Sequence, residues 1–223
     1  MRKRYVVGFV ILLAIAALPS FIQVIQDALL WRTQMIPLRR IQEAATRNGT
    51  QKAAVFIGDS IVESATFSSA LCGLPVVNAG LSGSRASDVL LLLDEMSRIG
   101  ISPALIVISV GINNAIDPDR RAFAETYPEI IRRAQALAGK VFVVTMAPIA
   151  DSGSIADIVD RTRLPDIRQT IRQTAQDRSV PIIDVSGLEA QGRPWIEDGV
   201  HLGPDGYVRW ISTIESAVSR WCP

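Results

Sequence analysis

From Ala53 onward, short apolar runs of strand length alternate with longer segments whose apolar positions recur at helical spacing. The runs are Ala53–Ile57, Val76–Val77, Ala104–Val110, Val141–Met146 and Val180–Ile183. Their nearly continuous apolar character, without polar alternation, predicts strands covered on both faces, as in a parallel sheet. Between them, Ala86–Arg98, Arg120–Leu137, Ile155–Arg178 and Gly206–Arg220 carry the spacing of amphipathic helices. Alternation of this kind predicts a doubly wound α/β sandwich with right-handed crossovers. In such a sheet, chemistry gathers at the carboxyl ends of the strands, where loops lead into helices.

The N-terminal pattern is different. Met1-Arg2-Lys3-Arg4 carries three cations, and the 22 residues from Tyr5 to Gln26 carry no charge. A helix needs about 20 residues to cross a bilayer, so residues 1–30 are expected to form an N-terminal transmembrane anchor. Pro19-Ser20 interrupts the apolar run, and Ala14-Ile15-Ala16 matches a cleavage pattern, which keeps a cleaved signal peptide open; a buried helix of the soluble domain is the third reading. Cations ahead of the span keep the N-terminus in the cytoplasm and place the body outside. Residues 31–52 are mixed and polar, with Pro37, Arg39-Arg40 and Asn48-Gly49-Thr50, and read as a linker or stalk with one short helix between Leu38 and Thr46. The remainder, 53–223, is expected to be one catalytic domain.

Composition narrows the function classes. With 223 residues, 48% of them hydrophobic, there is ample material for a single core. The 23 basic and 22 acidic side chains nearly cancel, with no polybasic run, so no nucleic-acid partner is expected. Cys72 and Cys222 could persist as a disulfide in an oxidising compartment such as a bacterial periplasm, or remain two separate buried thiols. One histidine and two dispersed cysteines supply no ligand cluster, so neither a metal nor a cofactor is expected.

That single histidine is the main chemical signal. His201 follows Asp198 by three residues, a spacing that lets the carboxylate accept the Nδ1 proton and leaves Nε2 as a base. Upstream, the first apolar run ends in Gly58-Asp59-Ser60 at the expected start of a helix. A serine hydroxyl needs such a base to attack a carbonyl, although a serine there is also an ordinary helix N-cap. Two further strand ends, Asn78-Ala79-Gly80-Leu81-Ser82-Gly83 and Gly111-Ile112-Asn113-Asn114, offer oxyanion donors in the Gly83 amide and the Asn113 side chain, with the Ser60 amide as a third. Singly, each is read more simply as turn or cap chemistry; three strand ends in order are not. The Gly-x-Ser-x-Gly elbow of α/β-hydrolases is absent from the chain.

Over residues 53–220, these blocks resemble the SGNH hydrolases, the GDSL esterase and lipase superfamily. Gly58-Asp59-Ser60-Ile61 is similar to the GDSL block, Asn78–Gly83 to the second, Gly111–Asn114 to GxND, and Asp198–His201 to DxxH. The resemblance implies Ser60, Asp198 and His201 as the catalytic residues, with Gly83 and Asn113 in the oxyanion hole. It also implies a flavodoxin-like three-layer α/β/α sandwich on a mostly parallel five-stranded sheet, which the transmembrane helix expected from the charge pattern of residues 1–30 would precede. Asn114 replaces the usual aspartate, which puts the geometry of its loop in question.

The expected activity is hydrolysis of acyl or acetyl esters, small or glycan-linked, by a domain held on the outer face of a bacterial inner membrane. Acyl transfer to, or deacetylation of, an exported polysaccharide or peptidoglycan uses the same residues. A silent glycan-binding or scaffold module is the alternative of another class.

Overall fold

The computed structural model describes residues 35–44, 46–47, 52–117 and 122–222, together with Ile25 and Ala28. Apart from Ile25 and Ala28, the expected transmembrane segment, residues 1–30, lies outside these residues; among those described, no helix is long and apolar enough to cross a membrane.

Helix α1, over residues 35–44 and 46–47, leads into strand β1, Ala54–Gly58. A single turn, α2 (Ser60–Glu63), precedes a hairpin of β2 (Ala70–Leu71) and β3 (Leu74–Gly80). Then follow α3 (Ala86–Arg98), β4 (Leu105–Ser109), the short α4 (Ile112–Ile116), α5 (Phe123–Leu137) and β5 (Lys140–Val144). A long loop, α6 (Leu164–Asp177), β6 (Ile182–Ile183) and α7 (Pro204–Ser219) complete the chain.

The sheet has six strands in the order β2-β3-β1-β4-β5-β6, not the five expected. The additional strand is β2, antiparallel to β3, with Ala70 opposite Pro75 and Leu71 opposite Leu74. All other pairs are parallel, and taken alone those strands run in the flavodoxin-like order 2-1-3-4-5.

Side-chain alternation along the buried strands divides the core into two layers. Val55, Ile57, Val77, Ile106, Ile108, Val141 and Val143 face α3, α5 and α6. Ala54, Phe56, Leu105, Val107, Phe142 and Val144 face the other way, against α2 and α7, where Trp210 is the largest fully buried side chain. The short helix expected between Leu38 and Thr46 is present as α1, and rather than standing clear of the domain it inserts Leu38, Ile41 and Ala44 into the first layer.

One expected helix is divided. Within Ile155–Arg178, only a 3-10 turn at Ala156–Ile158 and α6 form. Asp160 Oδ1 accepts from the Thr162 N–H at 3.0 Å, a local bond that competes with helix, and Pro165 then occupies the first turn of α6. Cys72 and Cys222 are bonded, joining the β2–β3 turn to the chain after α7.

Candidate active site

The site is built at the carboxyl end of β1. Asp59 is the N-cap of α2, its Oδ1 accepting from the Ile61 N–H at 3.0 Å, which sets Ser60 at the first helical position. The turn lies against the end of β3, where a Cβ on Gly80 would be only 2.3 Å from Glu63 N, so a side chain there is excluded. Asn78 secures the contact: its Nδ2 donates to Val62 O at 2.7 Å and Ala65 O at 3.0 Å, and its Oδ1 accepts from Gly80 N at 2.9 Å.

Asp198 and His201 come from the loop before α7. Asp198 Oδ1 accepts the Val200 and His201 amides, both at 2.9 Å, and Oδ2 lies 2.7 Å from His201 Nδ1. His201 Nε2 is 2.8 Å from Ser60 Oγ across 141 residues of chain. The loop is fixed from outside by Ile155 and Ala156, whose amides donate to Asp198 O at 3.1 and 2.9 Å. Burial pushes the Asp198 carboxyl upward, but the Val200 amide, the His201 ring and the His201 amide outweigh it and hold the group below its ordinary value. An ionised Asp198 accepts from Nδ1–H, so Nε2 is left to accept from the serine hydroxyl.

Two loops bring the proposed donors. Gly83 has φ +78°, a left-handed conformation open to glycine, and among the described residues neither its amide nor that of Ser60 has an acceptor. Asn113, on α4, donates from Nδ2 to Ser84 O at 3.0 Å and so is tied to the same loop, with a second N–H to offer. The substitution at Asn114 is absorbed: its Oδ1 accepts from Ala86 N at 2.9 Å, an acceptor function that an amide oxygen performs as a carboxylate would.

Beside this chain of bonds sits a second carboxyl. Asp59 is 3% exposed, and burial pushes it up to about 7 against the opposing pull of the Ile61 amide and the His201 charge. Among the described residues, no three His, Cys, Asp or Glu side chains gather as a metal site.

A model of the GDSL-like lipase/acylhydrolase family matches residues 56–209, about two-thirds of the chain and all four blocks. The chain belongs to that family. This GDSL-like hydrolase resembles in fold a GDSL-like lipase from Bacteroides thetaiotaomicron, with TM-score 0.61 and 21% identity over 83% of this chain and 98% of the other. It is also similar to the lipase/acylhydrolase from Enterococcus faecalis, with TM-score 0.62 and 21% identity over 77% and 97% of the two chains. A third likeness is to a catalytic mutant of an acetylxylan esterase from Geobacillus stearothermophilus, with TM-score 0.59 and 18% identity over 75% and 94%. Among curated proteins none matches the GDSL-like hydrolase in sequence.

The structure thus brings Ser60, Asp198 and His201 into one hydrogen-bonded chain, and links Asn113 to the loop that carries Gly83. Sequence reasoning passed over Asn78 as a side chain and over Glu63 altogether, and read Arg40 only as a polar residue of the linker. Asn78 ends a strand inside a quoted block and was within reach. The other two act on groups 19 and 40 positions away and leave no local signal.

Proposed function

We propose that this hydrolase is a serine esterase of the cell envelope. The observation that carries the reading is the continuous bond chain from Asp198 Oδ2 through the His201 ring to Ser60 Oγ, at 2.7 and 2.8 Å. His201 takes the Ser60 proton as Oγ attacks the ester carbonyl, and the negative charge formed on the carbonyl oxygen is received by the Ser60 and Gly83 amides and Asn113 Nδ2. Collapse breaks the C–O bond, and His201 returns the proton to the departing alcohol. Water, deprotonated in turn by His201, then cleaves the acyl-serine to free acid and restores the hydroxyl.

The charge pattern of residues 1–30 and the Cys72–Cys222 bond support an outward-facing domain held at a bacterial inner membrane, since such bonds persist in oxidising compartments. Likeness in fold to an acetylxylan esterase favours an acetylated glycan as a second substrate class, with deacetylation or transfer of the acetyl group to another sugar hydroxyl.

Ser60→Ala is expected to bring p-nitrophenyl acetate turnover to background and to abolish fluorophosphonate labelling, with an unchanged circular dichroism spectrum. Full turnover by that variant excludes Ser60 as nucleophile. No labelling of the native chain points to a binding module. Free acid versus acylated glycan among the products separates hydrolysis from transfer.

A further inference from the structure

Gly83 is not held by packing: nothing lies within 4 Å of where its Cβ would be. The direction of its N–H must therefore come from its neighbours. On one side Asn113 and Asn114 hold Ser84 O and Ala86 N. On the other stands Glu63, whose Oε2 accepts both from Ser82 N at 2.8 Å and from Ser82 Oγ at 2.5 Å. A carboxylate oxygen that takes the amide and the hydroxyl of one residue fixes its backbone as well as its side chain. The peptide unit following Ser82 is the one that carries the Gly83 N–H.

Glu63 is itself oriented by helix α1. Arg40 Nη2 lies 3.5 Å from Glu63 Oε1, and Nη1 donates to Gly80 O at 2.8 Å, so one guanidinium ties the carboxylate to the end of β3. We propose that Glu63 and Arg40 are positioning residues for the Gly83 oxyanion donor, which makes helix α1 part of the catalytic apparatus and not a tether alone. This rests on the esterase reading, and specifically on Gly83 as a donor. The charge of Glu63 is maintained: burial raises its carboxyl, but the Ser82 hydroxyl and amide and the Arg40 guanidinium more than offset this and hold it below the ordinary value. Neither residue touches the reacting atoms.

The test uses the full chain in detergent, with p-nitrophenyl acetate for kcat and KM and a fluorophosphonate for the rate of serine modification. Glu63→Ala is expected to lower kcat and the modification rate by about 10- to 100-fold, with KM within about twofold, because a donor displaced by an ångström loses much of its effect on the transition state. Glu63→Gln keeps an acceptor for Ser82 and should recover part of the loss. Arg40→Lys, which keeps the charge without the fork, should fall between native and Arg40→Ala. A Glu63→Ala enzyme with native kcat overturns the proposal, as does a loss confined to the fraction of titratable active sites with normal kcat per site. Should Glu63→Ala not fold, Arg40→Ala decides in the same way, its side chain being 38% exposed. A native chain without esterase turnover would fail the underlying reading and take this proposal with it. Native turnover with unaffected Arg40 and Glu63 variants removes the proposal alone.

Discussion

The Asp59 carboxyl caps α2 through Oδ1 while 3% exposed, so the position needs an acceptor but burial resists its charge. Its folded-state value of about 7 lies above the ordinary 3.8, so between those values the unfolded chain has released a proton that the folded chain still holds. Its contribution to stability is therefore complete below the lower value and declines as pH rises through the upper one. Asp59→Asn keeps an oxygen for the Ile61 amide and removes the titration. Relative to native, the variant should gain up to about 4 kcal/mol between pH 4 and pH 8, measured by urea unfolding at both; a difference independent of pH would show that the carboxyl does not titrate there. Asn113 belongs to another class of effect, since it is only partly buried and its bond to Ser84 O serves the loop. Asn113→Ala should lower kcat by about 100- to 1,000-fold, as loss of one oxyanion donor does, and a fall under tenfold would remove it from the hole. At this scale the legible residues were those with distinctive chemistry. A single histidine three places from an aspartate could be found in the sequence because its partner is local, whereas Arg40 and Glu63 resemble any charged pair on helix surfaces until the fold brings Ser82 and Gly80 to them.

Parallel strands and long helices were readable because two-sided burial leaves unbroken apolar runs, and β1, buried at all five positions, is the clearest case. What escaped was governed by turns. Strand β2 is two residues long, and its hairpin passes through Cys72 and Gly73 at φ 54° and 71°. Two positive φ values describe a type I′ turn, usually announced by Asn-Gly, and a cysteine in the first place conceals it. The loop between β5 and α6 was likewise concealed, because the bonds that fix it run to Asp198 and Gly199, some 40 residues later. Gly80 shows how little space these elements leave. Gly80→Ala places a methyl against Glu63 N, a backbone atom that cannot rotate aside. Overpacking of this kind should cost about 1–3 kcal/mol and, by displacing α2, reduce kcat as well. Urea unfolding and ester turnover measured on the same preparation check both, and a variant of native stability would mean that β3 and α2 separate more readily than their contact suggests.

Across the whole molecule the Cys72–Cys222 bond joins two points 150 residues apart in the sequence. The ring so closed contains β3 to β6, Asp198 and His201, but not Ser60 or α2. Sequence alone left the pairing open because nothing local records that the β2–β3 turn and the end of α7 share one edge. The bond meets α7 at its C-terminal end, while His201 lies just before its N-terminal end; 16 residues of helix separate them, about 24 Å. Cutting the bond releases the end of α7 farthest from the chemistry, and the two-layer core still holds Trp210, Ile214 and Val218 in place. The two effects should therefore part company. Cys222→Ser is expected to lose about 2–5 kcal/mol of unfolding free energy, chiefly through the greater freedom of its unfolded chain, with ester turnover at 25 °C within about twofold of native. Thiol titration in denaturant establishes that the native bond is formed, and urea unfolding with and without reductant measures its effect. If turnover collapsed while stability held, the bond would instead be acting on the Asp198–His201 loop through α7, a coupling that the packing of the helix argues against.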